Sequence, residues 1–214
     1  MGNAVAHAGR AGRRRSLDLA ICWVQNTDLQ ALALEARLLG VDRLYALATG
    51  PDDSPVEAPP DTVVLIDADA GSWSSWNRYA EQFAAATGAR VMRTDDGGVT
   101  GATFLEHVRG LGRPVINNPK GQDASLPKDL VRRAVINPAP PLWTWSLVWR
   151  RDEDNPVVAT LVDEFTRDIG DFGLSDHSVW LPADDPHQPA TAAAADTTNA
   201  PTTRRAGIRC AAVG

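Results

Sequence analysis

Two carboxylates stand two residues apart at the end of an apolar run, Asp67 and Asp69 in VVLIDADAG (63–71). A pair so placed can divide nucleophile and acid/base roles between its members, or offer hard oxygen ligands to a divalent cation. The plainer reading is that they end a strand and open a turn, as short acidic side chains commonly do. Next comes AGSWSSW, which puts Ser72, Trp73, Ser74 and Ser75 just ahead of a helical pattern. The start of a helix carries unpaired N–H groups and a positive partial charge, so hydroxyls gathered there make a seat for a carboxylate or phosphate. Any single serine can equally be a simple cap. His107, His177 and His187 have no ligand-spaced partners, so a metal site is not expected from them. Cys22 lies in an apolar run, where a thiol is usually a small buried hydrophobe. GLG at 110–112 lacks the third glycine of a dinucleotide fingerprint, and no Gly-x-Ser-x-Gly elbow occurs.

The strand with Asp-x-Asp resembles the first motif of haloacid-dehalogenase-type phosphatases and the metal-binding Asp-x-Asp of some glycosyltransferases. On that resemblance Asp67 and Asp69 would serve a magnesium-dependent enzyme. The phosphatase pattern, however, wants Thr or Val where this chain has Gly71, and a downstream lysine, of which there are only Lys120 and Lys128.

These residues need elements to hold them. LDLAICWV (17–24) predicts a short buried strand. Residues 28–39 suit helix or strand, RLYALAT (43–49) alternates like a strand, and the Pro- and acid-rich stretch after it punctuates the chain. TVVLIDA (62–68) is an uninterrupted apolar strand of the kind covered on both faces in a parallel sheet. Trp76, Tyr79, Phe83 and Ala86 share one helical face, and Gly88 ends that helix. ARVMRT (89–94), a helix over 100–109 closed by Gly110, and RPVIN (113–117) complete a βαβαβ lobe. Residues 130–141 predict an irregular strand. Trp143, Trp145 and Trp149 share parity in the strand 142–151, a stripe that reads as sheet core although it could stack a ligand. Pro156 opens a last helix with Val157, Leu161, Val162, Phe165 and Ile169 as its apolar face.

The chain has 214 residues, 43% hydrophobic and 22% charged, enough to bury a core without staples. A net charge of −6 argues against a broad grip on a phosphate backbone. Cys22 and Cys210, far apart, give no disulfide scaffold. No apolar run is long enough to span a membrane, and the basic N-terminus lacks the apolar core of a secretory signal, so a cytoplasmic protein is expected. Residues 1–16, with Arg10 and Arg13 to Arg15, read as a disordered basic head. The Ala/Thr/Pro-rich stretch from Pro189 reads as a disordered tail.

In order and spacing, LDLAI, RLYALAT, the acidic-proline hinge, TVVLIDADAGSW with its helix, ARVMRTDD with its helix, GLGRPVINNP and LWTWSLVWRRDEDNPVVATLVDEF resemble the effector-binding half of LysR-type transcriptional regulators over residues 16 to 170. The resemblance implies an α/β fold of two Rossmann-like lobes, type-II periplasmic-binding-like, with a ligand between them. It divides the chain into a partial first lobe (17–55 and 140–170), a second lobe (56–139) and a largely disordered extension (171–214). Carried onto this sequence, ligand-binding positions fall on Ser72, Trp73, Ser74 and Ser75, then on the strand end Thr94, Asp95 and Asp96, with Thr100 beside them. The implied protein is an effector-sensing domain rather than an enzyme, needing no cofactor, binding a small anionic metabolite and forming homo-oligomers. The family's winged helix-turn-helix and the first strand and helix of lobe one have no counterpart before Leu17. The chain thus looks like a truncated member with an incomplete first lobe, reaching DNA only through a helix-turn-helix it does not carry.

Overall fold

The computed structural model describes residues 18–57, 59–121, 125–174 and 178–189; the basic head and the Ala/Thr/Pro-rich tail lie outside them. Two β-sheets form. The smaller is antiparallel throughout, with β8 (Leu142–Arg150) flanked by β1 (Leu19–Cys22) and β2 (Leu34–Arg43). The larger has five strands in the order β5-β4-β6-β3-β7. Here β4 (Val63–Asp67) pairs parallel with β5 (Arg90–Thr94) and β6 (Val115–Ile116), while β3 (Tyr45–Thr49) runs antiparallel to β6 and to β7 (Leu130–Ala134).

The ambiguous stretch 28–39 resolves into both alternatives: helix α1 (Asn26–Ala31) and then the body of β2. Placing 43–49 in the first lobe does not survive the strand pairing, because β3 hydrogen-bonds to β6 and β7 in the larger sheet. The chain passes from one sheet to the other at a single residue, Leu44, which is 0% exposed. It returns through 135–141, where Leu44 N–H donates to Pro141 O (2.9 Å), so the two crossings are tied together. Residues 50–57, expected as a hinge, instead lie along the larger sheet, with Val56 bridging to Val135.

Helices α2 (Ser74–Thr87) and α3 (Gly101–Leu111) link the parallel strands as the βαβαβ pattern requires. α2 ends at Gly88 in the left-handed region (φ 80°), where the missing Cβ lets its N–H reach Ala84 O (2.8 Å). α3 runs through Gly110 and ends instead at Gly112 (φ 59°). The main core packs β4, uniformly buried, against Trp76, Tyr79 and Phe83 of α2 and Phe104 and Val108 of α3. Each such large apolar side chain contributes about 1.5–3 kcal/mol by leaving water.

The last helix, α4 (Pro156–Thr166), starts as expected with Pro156, and the Asn155 side chain accepts Val157 N–H (3.0 Å). Its inward face is Val158 and Val162, against Leu147, Leu19 and Trp149. Val157 (61% exposed), Leu161 (38%) and Phe165 (54%), expected in the core, form an outward stripe. The reason lies in phase: with Val158 and Val162 packed on Leu147, the 157–161–165 flank lies on the outer side of the helix, and the exposed Asp163–Arg37 pair (2.7 Å) sits on the opposite flank. β1 is correspondingly an edge strand, and its Ile21 is 54% exposed rather than buried. The tryptophan stripe also divides, Trp143 and Trp145 joining the main core and Trp149 the small one under α4.

The extension beyond 170 departs furthest from expectation. Residues 178–189 are packed, with Leu181 and Asp185 buried and Trp180 set edge-on against Tyr79 and Phe83 of α2 (5.5 and 5.2 Å). Backbone bonds from Trp180 N–H to Pro140 O (2.8 Å) and from Leu142 N–H to Trp180 O (3.0 Å) fix this segment to the returning crossover.

Candidate functional site

The parallel register sets Asp67 beside Thr94, so the turn 67–75 and the loop 94–100 lie next to each other at the carboxyl ends of β4 and β5. In open α/β sheets, ligands gather at such ends. Asn77, one turn into α2, clamps the strand end: its Oδ1 accepts Asp67 N–H (3.0 Å) and its Nδ2 donates to Asp67 O (2.8 Å). The Asp67 carboxylate accepts Asp69 N–H (2.8 Å), and that of Asp69 accepts Gly71 N–H (2.9 Å) and the Ser72 hydroxyl (2.6 Å). The Ser72 bond foremost holds the Asp69 carboxyl below the usual carboxylate range. Both aspartates thus knit a turn. Among the described residues no group of three or more His, Cys, Asp or Glu side chains could hold a metal ion.

Ser72 is exposed and its hydroxyl is spent on Asp69. Ser74 and Ser75 begin α2 half-buried, after Trp73 as a residue with no capping side chain. Among the described residues nothing accepts the amide N–H groups of Ser74, Ser75 or Trp76, and neither serine hydroxyl is engaged. Lys120 brings a cation over the Trp73 ring, its Nζ 4.5 Å from the centroid. This corner therefore holds free donors and a positive charge.

The second cluster is more occupied. The Thr94 hydroxyl donates to Asp96, whose carboxylate also accepts Gly98 N–H (2.9 Å) and meets His107 Nε2 at 3.0 Å. Those partners, Thr94 first, keep the Asp96 carboxyl low. A Cβ at Gly98 would lie 2.4 Å from the His107 ring, so a larger residue there would push the imidazole off Asp96. Asp95 is exposed, and Thr100 caps α3 in extended backbone geometry without a side-chain cap bond. The structure thus gathers Trp73, Ser74 and Ser75 with Lys120, and groups Thr94 and Asp96 with His107, which the sequence reading did not select.

Facing the first corner is the other sheet. Arg78, three and four residues beyond Ser75 and Ser74 and so on their face of α2, reaches across to α1. Its guanidinium meets the Asp28 carboxylate with both ends (3.1 and 3.0 Å), bonds Gln25 Oε1, and lies over the Trp23 ring at 5.7 Å. The spacing Ser-Ser-x-x-Arg was visible in the sequence, but its partner across the lobes was not.

No protein-family model matches this sequence, and no curated protein does. Solved structures do. The effector-binding domain of BenM with its effector benzoate is 16% identical, with 78% of this chain and 75% of that one covered and a TM-score of 0.54. Full-length BenM gives 15%, 78% and 55%, with a TM-score of 0.55. The regulatory domain of CcmR from Synechocystis PCC6803 in complex with 2-PG gives 11%, 82% and 80%, with a TM-score of 0.50. The chain has the fold of LysR-type effector-binding domains, periplasmic-binding-protein-like of type II, as its sequence leads one to expect. Among the described residues no helix is long and apolar enough to cross a membrane.

Proposed function

We propose that this chain is an effector-sensing regulatory domain of the LysR type, taking a small anionic metabolite between its lobes and working within a homo-oligomer. The ligand's charged end would rest on the unaccepted amides and hydroxyls of Ser74 and Ser75, with Lys120 and Trp73 beside it. Ser72, Thr94, Asp95 and Thr100 would border that position from the β4 and β5 ends. The observation carrying this reading is the junction: two sheets between whose strands the described chain crosses at Leu44 and through 135–141, with the donor-rich start of α2 at their boundary and Arg78 already crossing it. Ligands of two proteins with this fold, benzoate and 2-PG, are named with their regulatory domains, which favours a small ligand here too. DNA recognition belongs, on this reading, to a winged helix-turn-helix and not to these acidic lobes.

Thermal-shift screening of small carboxylates and phosphates tests it. At least one compound should raise the melting temperature of the wild type saturably, and the Ser74→Ala/Ser75→Ala variant should need a markedly higher concentration. No shift from any compound, or equal shifts in both proteins, refutes the assignment.

A further inference from the structure

At the junction of the sheets a buried carboxylate arrives from the end of the described chain. Asp185 is 1% exposed. Its Oδ2 accepts the Trp23 indole N–H (3.2 Å) and the Thr144 hydroxyl (2.7 Å), and its Oδ1 accepts His187 N–H (2.9 Å). Trp23, just past β1, and Thr144, in β8, are themselves almost wholly buried and belong to the body of the fold. The carboxylate belongs to an appendage. Residues 178–189 also hold on elsewhere: Asp184 accepts Thr27 N–H (3.1 Å) and the Thr27 hydroxyl (2.7 Å), and Trp180 sits against α2.

A carboxylate taken out of water is costly unless donors converge on it. Here two of the donors are supplied by the body and the acceptor by a strap. The surrounding aromatic cluster has donor capacity to spare: Trp143, 5.5 Å from Trp23, buries an indole N–H with no acceptor among the described residues. We propose that the Trp23–Thr144 donor pair is a binding site for a small carboxylate, which the chain fills with its own Asp185 on a tethered plug. His187 of the strap follows on the same turn, its N–H on Asp185 and its Nε2 2.9 Å from the Ser146 hydroxyl, while the Tyr79 hydroxyl of α2 is taken up by Leu142 O. Free carboxylate and strap are then mutually exclusive occupants, and the donors are Trp23 and Thr144 rather than the serines of α2, so this site stands whether or not the effector reading does.

Removing the side chain tests the proposal. Asp185→Ala in the full chain vacates a space the size of formate, while Asp185→Asn fills it with an amide. In Asp185→Ala, sodium formate should recover about half or more of the lost melting temperature along a saturating curve. Sodium chloride at equal ionic strength should not. Wild type and Asp185→Asn should respond to the two salts alike. If Asp185→Ala does not fold in plain buffer, its refolding yield from urea is measured in each salt, and formate should restore it. Equal effects of formate and chloride on Asp185→Ala, in melting or in refolding, overturn the proposal, as does a formate response of the same size in Asp185→Asn.

Discussion

Arg78 and Asp28 join α2 of one lobe to α1 of the other, and a double-mutant cycle on them measures what the lobes gain by that contact. Their side chains are 39% and 22% exposed, so the solvent screening that reduces surface pairs toward zero is only partial. Two-ended geometry puts the pair near the top of the range for such contacts, about 1 kcal/mol. The guanidinium also lies over Trp23, which adds about 0.5–1 kcal/mol that Asp28 does not share. Arg78→Met should therefore cost about 1.5–2 kcal/mol in urea unfolding, and Asp28→Asn about 1 kcal/mol, part of it from the bond with Gln25 N–H (3.3 Å). The double variant should lose about 1 kcal/mol less than the sum. Since both groups touch water, 1 M NaCl, where the screening length is about 3 Å, should roughly halve that coupling. Coupling indistinguishable from zero at low salt, or unmoved by salt, would mean that the pair does not fasten the lobes.

Further expectations concern single positions. Asn77→Ala removes the amide that satisfies both backbone groups of Asp67, leaving them buried, and should destabilise by about 2–4 kcal/mol in the same unfolding assay. Tyr79→Phe deletes the buried hydroxyl that donates to Leu142 O (2.8 Å); a loss of about 1–2 kcal/mol should appear as a fall of about 2–4 °C in melting temperature per kcal/mol. The Asp96 carboxyl is depressed, so its bonds with Thr94 and His107 add stability above the ordinary value of 3.8 and lose it as pH falls through the depressed one. Its NMR titration midpoint should lie below 3.8 in the wild type and rise in Thr94→Val.

The second lobe was the more legible because its elements are local and their signals agree. β4 is an unbroken apolar run, α2 keeps one apolar face, and Gly88 stands where the helix stops. The first lobe depends on pairings across more than a hundred residues, such as Glu35 with Trp149, which no local pattern announces. That is why the sequence groups 43–49 with the first lobe, and why it marks the exposed flank of α4 as core. At the candidate site the serines were readable as residues, but the spending of the Ser72 hydroxyl on Asp69 is a matter of turn geometry. The strap was hidden for another reason. Trp180, Leu181 and Asp185 lie just before a low-complexity stretch, and its composition masked how much apolar surface they cover.

A one-residue joint at Leu44, bonded to the returning strand at Pro141, constrains the mechanics of the whole molecule. With so little chain at the joint, the halves have no slack with which to draw apart. A rotation about the line through the two crossings could be absorbed by a few backbone torsions there, but it would have to shift the Arg78–Asp28 pair and the Tyr79–Leu142 bond. On the reading proposed above, a bound ligand would therefore change an angle between the halves and not their separation. Spin labels far from the axis, one on each half, should register it as a large change in distance, while labels flanking Leu44 stay nearly still.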